Sequence, residues 1–305
     1  MKKIIAAALL SFSLNSFADN APLWLRFCSI SPDGQTIAFS YKGDLFSVPV
    51  NGGIAKQLTT NPAYDAYPIW SPDGQKIAFA STREGSMDIY LMNKNGGVPK
   101  RLTTNSGSEI PMAFTDNNHV LFSSAIMPTA KSIFFASGTF PQTYEVNIDA
   151  SRPRLYSPIT MCDANVKSNG DILYHDVKGY EDNFRKHHRS PVTRDIWLYS
   201  KGNYTKLTNF DGEDRTPIWG NNTNEYYYLS EEDGTFNVYK RNIDGSGKKQ
   251  LTFHKANPVR FLTVANNGTI CYGYDGEIYT LKNGQQPKKV DITIVTDQID
   301  NDLVR

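Results

Sequence analysis

Cysteine is scarce in this chain: Cys28, Cys162 and Cys271 are the only three in 305 residues, odd in number and widely separated. That pattern argues against a disulfide framework, and the missing C-x-x-C removes the usual thiolate zinc site. The three read as buried thiols on strands; Cys28 and Cys271 could pair only if the two ends of the fold met. An excess of either charge is missing too. The 32 Lys and Arg against 31 Asp and Glu leave a formal net charge of +1 with no long basic block, which argues against a nucleic-acid partner. The one long apolar run, Ile4–Leu14, is broken by Ser11 and Ser13 and falls short of the roughly 20 residues that a membrane span needs. With Lys2-Lys3 before it and Ser16-Phe17-Ala18 after it, small residues stand at both key positions of a cleavage site. Residues 1–18 therefore read as a secretory signal peptide, and the mature chain is expected to be periplasmic or secreted with no membrane span.

Recognisable catalytic and metal-binding patterns are absent as well. There is no G-x-S-x-G, and Ser31 and Ser71 belong to a repeated turn, where a structural role dominates. The five histidines, His119, His175, His187, His188 and His254, form no H-x-x-x-H or H-E-x-x-H. His187 and His188 adjoin within Arg185–Arg189 and would point opposite ways on an extended segment, so a solvated basic loop outweighs a metal site there. Asp244-Gly245-Ser246-Gly247 lacks the further acidic ligands of a calcium loop. No catalytic residue, metal or cofactor is expected in this chain.

Turn formers, by contrast, are plentiful, with 22 Gly and 16 Pro, and they recur in a pattern. Ser71–Thr104 opens with Ser-Pro-Asp-Gly, a type I turn, and continues as Lys76–Ala80, Asp88–Met92 and, past Asn95-Gly96-Gly97, Lys100–Thr103. Pro68-Ile69-Trp70 supplies a strand before the turn. Ser31–Thr60 is nearly the same unit. Ser31 to Ser71 spans 40 residues and Leu58 to Leu102 spans 44, matching four-stranded propeller blades of about 40–45 residues. Four more repeats follow, beginning at Met112, Met161, Pro217 and Phe261. The expected fold is all-β: a six-bladed β-propeller of four-stranded antiparallel blades over residues 19–291, followed by a linker-like tail at 292–305. All four strands of each blade come from contiguous sequence, so the ring is expected to close by packing, without strand exchange.

Two stretches interrupt the repeats at equivalent places, Ala125–Pro141 in the third and Asp176–Thr193 in the fourth. Insertions on a rigid scaffold are where binding concentrates. The first carries Phe134, Phe135 and Phe140 for apolar contact; the second carries Arg185, Lys186 and Arg189 for carboxylates, with His187 and His188 between them as further candidate binding residues. Arg260 joins them as a candidate binding residue, with Asp65, Glu109 and Asp214 expected alongside it at the channel mouth. The apolar loop reads equally well as cover for another part of a larger protein.

The repeats resemble those shared by the tricorn protease and the periplasmic propeller of the Tol system. Pro22–Arg26, Tyr41-Lys42-Gly43-Asp44, Arg185–His188 with Thr193–Trp197, Gly212–Arg215 and Pro258–Leu262, taken in order, are similar to the N-terminal propeller of exported tricorn-like serine peptidases. That resemblance implies an open six-bladed ring followed by a second propeller and by domains carrying the catalytic Ser and His. None of those follows in this sequence and no position matches a catalytic residue, so the peptidase activity does not carry over. The implied function is a noncatalytic propeller that binds or gates peptide substrates for a catalytic portion outside this chain. The alternative is a free-standing periplasmic interaction scaffold like the Tol propeller, with protein partners.

Overall fold

The Ser31-Pro32-Asp33-Gly34 turn is built from its own side chains. The Ser31 N–H donates to the Thr36 carbonyl and the Gly34 N–H to the Ser31 carbonyl, both at 2.8 Å. Asp33 Oδ1 accepts from the Ser31 hydroxyl at 2.6 Å and the Gln35 N–H at 3.0 Å, bonds that hold its carboxyl below the usual range. Gly34 sits at φ +72°, and a Cβ there would fall 2.4 Å from Asn267 Nδ2. The Ser71–Gly74 copy repeats the Ser–Asp bond at 2.6 Å and the Asp–Gln bond at 2.9 Å. Each turn sends the chain from an innermost strand to the second strand of the same sheet.

The computed structural model describes residues 23–125, 141–178, 192–221, 224–282 and 284–295. Within them lie six four-stranded antiparallel blades, each with its strands in chain order. Blade 1 is β1 (Arg26–Ile30), β2 (Thr36–Tyr41), β3 (Asp44–Pro49) and β5 (Lys56–Gln57), with β4 (Gly53–Ile54) outside it. Blade 2 is β6 (Asp65–Trp70), β7 (Lys76–Glu84), β8 (Ser86–Asn93) and β9 (Lys100–Arg101). Blade 3 is β10 (Glu109–Asp116), β11 (His119–Ser124), β12 (Gln142–Asn147) and β13 (Arg154–Ser157). Blade 4 is β14 (Cys162–Val166), β15 (Ile172–His175), β16 (Ile196–Ser200) and β17 (Asn203–Lys206). Blade 5 is β18 (Asp214–Trp219), β19 (Glu225–Ser230), β20 (Asn237–Asn242) and β21 (Lys249–Gln250). Blade 6 is β22 (Arg260–Val264), β23 (Ile270–Tyr274), β24 (Glu277–Leu281) and β25 (Lys288–Lys289). Each first strand packs on the first strand of the next blade, and β22 returns to β1. No helix among the described residues is long and apolar enough to cross a membrane.

The core lies between blades rather than within one sheet face. Successive residues of a strand point to opposite faces, so Ile37 and Phe39 pack toward blade 6 while Ala38 packs toward blade 2. Ile77 and Phe79 pack on blade 1, Ala78 on blade 3; Tyr226 and Tyr228 on blade 4, Tyr227 and Leu229 on blade 6. Second strands are therefore apolar on both faces, which is why Ile-Ala-Phe shows no polar alternation. The indole N–H groups of Trp70 and Trp219 add bonds to the preceding blade, at Ser29 O (2.9 Å) and Asn165 O (3.1 Å).

The Asp-Ile-Tyr and Leu-Thr-Thr elements of the repeat meet across the outer strands. Thr103 Oγ1 accepts from the Ile89 N–H at 2.9 Å, beside Asp88, and Arg101 Nη2 reaches Asp88 Oδ2 at 2.7 Å. Thr59 serves Leu45, Thr208 serves Ile196 and Thr252 serves Val238 in the same way, at 2.8–2.9 Å. Each threonine gives a buried N–H its acceptor where the short fourth strand ends. Thr103→Val, nearly isosteric, leaves the Ile89 N–H unsatisfied and should cost about 1–2 kcal/mol, read as a lower denaturant midpoint with an unchanged m-value.

Every blade is contiguous, as expected, and among the described residues no strand is exchanged between the ends. The closure is nevertheless more than packing. β26 (Ile292–Thr293), from the stretch expected to be linker, pairs in parallel with β4. The Gly53 N–H donates to Asp291 O, the Ala55 N–H to Thr293 O and the Leu25 N–H to Gly276 O, each at 2.8 Å. The Gly-Gly turn of blade 1 makes this possible, because Gly52 and Gly53 both take positive φ where the backbones meet.

Candidate functional site

Each first strand carries a bulge near its start, seen as a register shift against the second strand: after Arg26, Ala66, Pro111, Cys162, Arg215 and Arg260. In five blades the bulge holds a non-glycine residue at positive φ: Phe27 (51°), Tyr67 (55°), Asp163 (48°), Thr216 (52°) and Phe261 (56°). In blade 3 the matching residue is Pro111, whose ring locks φ near −65°. A left-handed residue other than glycine costs roughly 1–2 kcal/mol. Its recurrence in five blades makes the bulge part of the architecture: it bends the innermost strand and sets one side chain per blade around the axis.

Those six side chains are not equivalent. The Phe27 ring lies 4.1 Å from Tyr67 and 4.9 Å from Phe261, centroid to centroid, so blades 6, 1 and 2 present one continuous aromatic arc. On blades 4 and 5 the Thr216 hydroxyl donates to Asp163 Oδ2 at 2.7 Å. Burial raises the Tyr67 hydroxyl's pKa, and the charge of Asp163 adds to the rise while Arg26 opposes it.

Behind Asp163 stands an ionic cluster. His175 is 2% exposed; its Nδ1 lies 3.3 Å from the Thr216 N–H nitrogen and 3.7 Å from Asp163 Oδ2, and its Nε2 lies 3.2 Å from Arg194 Nη1. Burial pulls its pKa down to about 3, so the ring is neutral at physiological pH. Glu213 lies 3.4 Å from Arg215 Nη1 and 3.8 Å from Arg194 Nε. The Arg215 guanidinium also stacks 3.9 Å above the Phe236 ring, and burial lowers its pKa to about 10. Arg215, Arg260 and Arg26 occupy the same position, just before the strained residue, on the consecutive blades 5, 6 and 1. The axis thus offers an aromatic arc on one side, a carboxylate and hydroxyl on the other, and the guanidinium groups of Arg26 and Arg260 at the start of the strands, while that of Arg215 is buried against Glu213 and Phe236. No cluster of side chains that could hold a metal occurs among the described residues.

Of the residues expected from sequence to bind, Arg260 takes its place here, half-buried and opposite Gly273. Phe134, Phe135, Phe140, Arg185, Lys186, His187, His188 and Arg189 lie outside the described residues. Their segments leave from Ser124 and from the end of β15, both at the edge where first strands begin, since Glu109 pairs with Ser124 and Cys162 with His175. Asp65, Glu109 and Asp214 correct an expectation: they are buried within the blades and do not line the channel mouth. Asp65 accepts from Arg83 Nη2 at 2.7 Å. Burial pushes Asp214 up to about 6 and Glu109 up to about 7. Phe27, Tyr67, Asp163, Thr216 and Phe261 were not anticipated. Each lies four residues before the residue that opens the first turn, so a column cut through the aligned repeats would have exposed them.

Comparison with known proteins agrees with this geometry. Residues 22–287 match the family described as the tricorn protease N-terminal beta propeller domain. Tricorn protease homolog 1 of Streptomyces coelicolor is 25% identical over 286 residues, covering 92% of this chain and 26% of the relative. A tricorn protease homolog of Saccharolobus solfataricus is 22% identical, over 87% of this chain and 24% of its own length. Among solved structures, the crystal structure of the tricorn protease superposes with a TM-score of 0.76 at 20% identity, over 92% of this chain and 27% of that one. The propeller domain of the Trilobed protease from Pyrococcus furiosus, described as having an open velcro topology, gives 0.54 at 13% identity, over 87% of this chain and 83% of that one. The chain spans about a quarter of the length of these curated relatives. With six blades of this repeat and a family match across nearly all of them, the chain belongs to the tricorn protease N-terminal β-propeller family.

Proposed function

We propose that this propeller is the noncatalytic domain of an exported tricorn-like serine peptidase, binding or gating peptide for catalytic domains outside this sequence. The observation that carries the reading is the two-sided ring at the axis. Aromatic faces at Phe27, Tyr67 and Phe261 suit apolar peptide side chains, and guanidinium groups at Arg26 and Arg260 suit carboxylates. The insertions with Phe134, Phe135 and Phe140, and with Arg185, Lys186, His187, His188 and Arg189, join strands at the same edge and extend the proposed surface. The chain alone is expected to hydrolyse no peptide.

The test is photo-crosslinking of the intact chain with benzophenone-bearing peptides of mixed sequence, followed by mass mapping and affinity measurement. Crosslinks should fall on the first strands of blades 6, 1 and 2, and Phe27→Ala with Tyr67→Ala should weaken binding by about tenfold, roughly 1.4 kcal/mol. Crosslinks confined to the outer strands, or an unchanged affinity, would reject a channel site. Retention of whole envelope proteins without peptide binding would favour the scaffold alternative instead.

A further inference from the structure

The seam between blades 6 and 1 encloses two of the three cysteines. Cys28 on β1 and Cys271 on β23 belong to one core cluster and are 3% and 0% exposed. Blade alternation explains the meeting: Ile270 and Tyr272 face blade 5, so Cys271 between them faces blade 1. Hydrogen bonds place the two strands closely. Cys28 Sγ lies 3.4 Å from Phe261 O. The Ile30 N–H donates to Thr263 Oγ1 at 3.1 Å, and Thr263 is the cross-strand partner of Cys271. Both thiols stand reduced. Cys162, on β14 of blade 4, lies across the ring from them.

We propose that Cys28 and Cys271 form a disulfide that staples blade 1 to blade 6 when the chain folds in the presence of a disulfide-bearing oxidant. In the first step the thiolate of one cysteine attacks a sulfur of the oxidant, forms a mixed disulfide and expels one thiolate. The thiolate of the other then attacks the protein sulfur of that mixed disulfide, forms the Cys28–Cys271 bond and expels the second thiol. The protein loses two electrons and two protons, and the oxidant's disulfide becomes two thiols. Burial pushes the Cys28 thiol well up in pKa and shields both sulfurs, so the closed ring reacts slowly and the bond forms while the seam is open. A cross-link here encloses nearly the whole propeller, where loop-closure arguments give a disulfide its largest effect.

The wild-type chain is unfolded in reductant, refolded in a mixture of oxidised and reduced glutathione, and mapped by alkylation and mass spectrometry. The expected result is one disulfide, Cys28 to Cys271, with Cys162 alkylated, and a melting temperature about 5–10 °C above that of the protein refolded in reductant. Cys162→Ser, which touches neither proposed sulfur, should keep both the bond and the shift. Native reduced protein placed in the same mixture should oxidise far more slowly. Alkylation of both Cys28 and Cys271 after oxidative refolding, a bond to Cys162, or equal melting temperatures would overturn the proposal. Since the comparison is made on unsubstituted seam residues, no outcome depends on a core variant that fails to fold.

Discussion

Glu109→Gln is expected to stabilise the propeller at pH 8 by about 3 kcal/mol and to change little near pH 4. Glu109 is fully buried at the start of β10, and neither carboxylate oxygen has a hydrogen-bond partner among the described residues. Burial pushes it up to about 7 from an ordinary 4.5, and the charge of Asp88 beside it adds to the rise. The folded chain therefore keeps a proton that the unfolded chain releases from pH 4.5 upward. The stability linked to that proton is complete below pH 4.5 and is lost as pH rises through about 7. The amide of Gln keeps the shape, never ionises, and escapes the loss. Denaturant unfolding of both proteins at several pH values measures it. A stability difference that does not widen with pH would mean that Glu109 is paired as a carboxylate, and the account of this site would be wrong.

The second large effect is expected at the seam. Gly52→Ala should cost about 3 kcal/mol or more, whereas Gly53→Ala should cost about 1–2 kcal/mol. Both glycines take positive φ, 92° and 119°. A Cβ on Gly52 would stand 2.4 Å from Asp291 O and 3.2 Å from Asp291 N, atoms of the main chain that cannot rotate away. A Cβ on Gly53 meets nothing within 4 Å. Conformational strain is thus common to the two variants, and only the first also forces β26 off β4. Hydrogen exchange should show faster exchange at Gly53 and Ala55 in Gly52→Ala than in Gly53→Ala. Equal losses in the two variants would mean that the parallel pair contributes nothing to closing the ring.

Blade number, strand order and contiguity were legible because the Ser-Pro-Asp-Gly turn and the Leu-Thr-Thr ending each recruit side chains by name, and those residues recur at fixed spacing. Glu109 and Asp214 were misplaced for a related reason. An acid at the head of a strand looks exposed in sequence, yet here it lies beneath the outer strands, where burial rather than solvent sets its charge. The axis was hidden more thoroughly. Its residues share no one chemistry, since the aromatic Phe27, Tyr67 and Phe261 have only a place in a bulge in common with Pro111, Asp163 and Thr216. Positive φ at a phenylalanine or threonine leaves no compositional trace, unlike the glycines of the turns. β26 was read as linker because two paired residues carry no periodicity.

The packing of every core cluster between adjacent blades also sets a schedule for a ribosome. Blade 2 covers one face of blade 1 soon after both emerge. The other face, with Ile37, Phe39, Phe46 and Val48, waits for Cys271 and Ile278 of the last blade. At translation rates of about 5–20 residues per second, that wait lasts on the order of 10–50 s. The earliest-made surface is therefore the last to be covered, and throughout that interval the nascent chain displays an apolar sheet face suited to a holding chaperone or, at high expression, to another nascent copy.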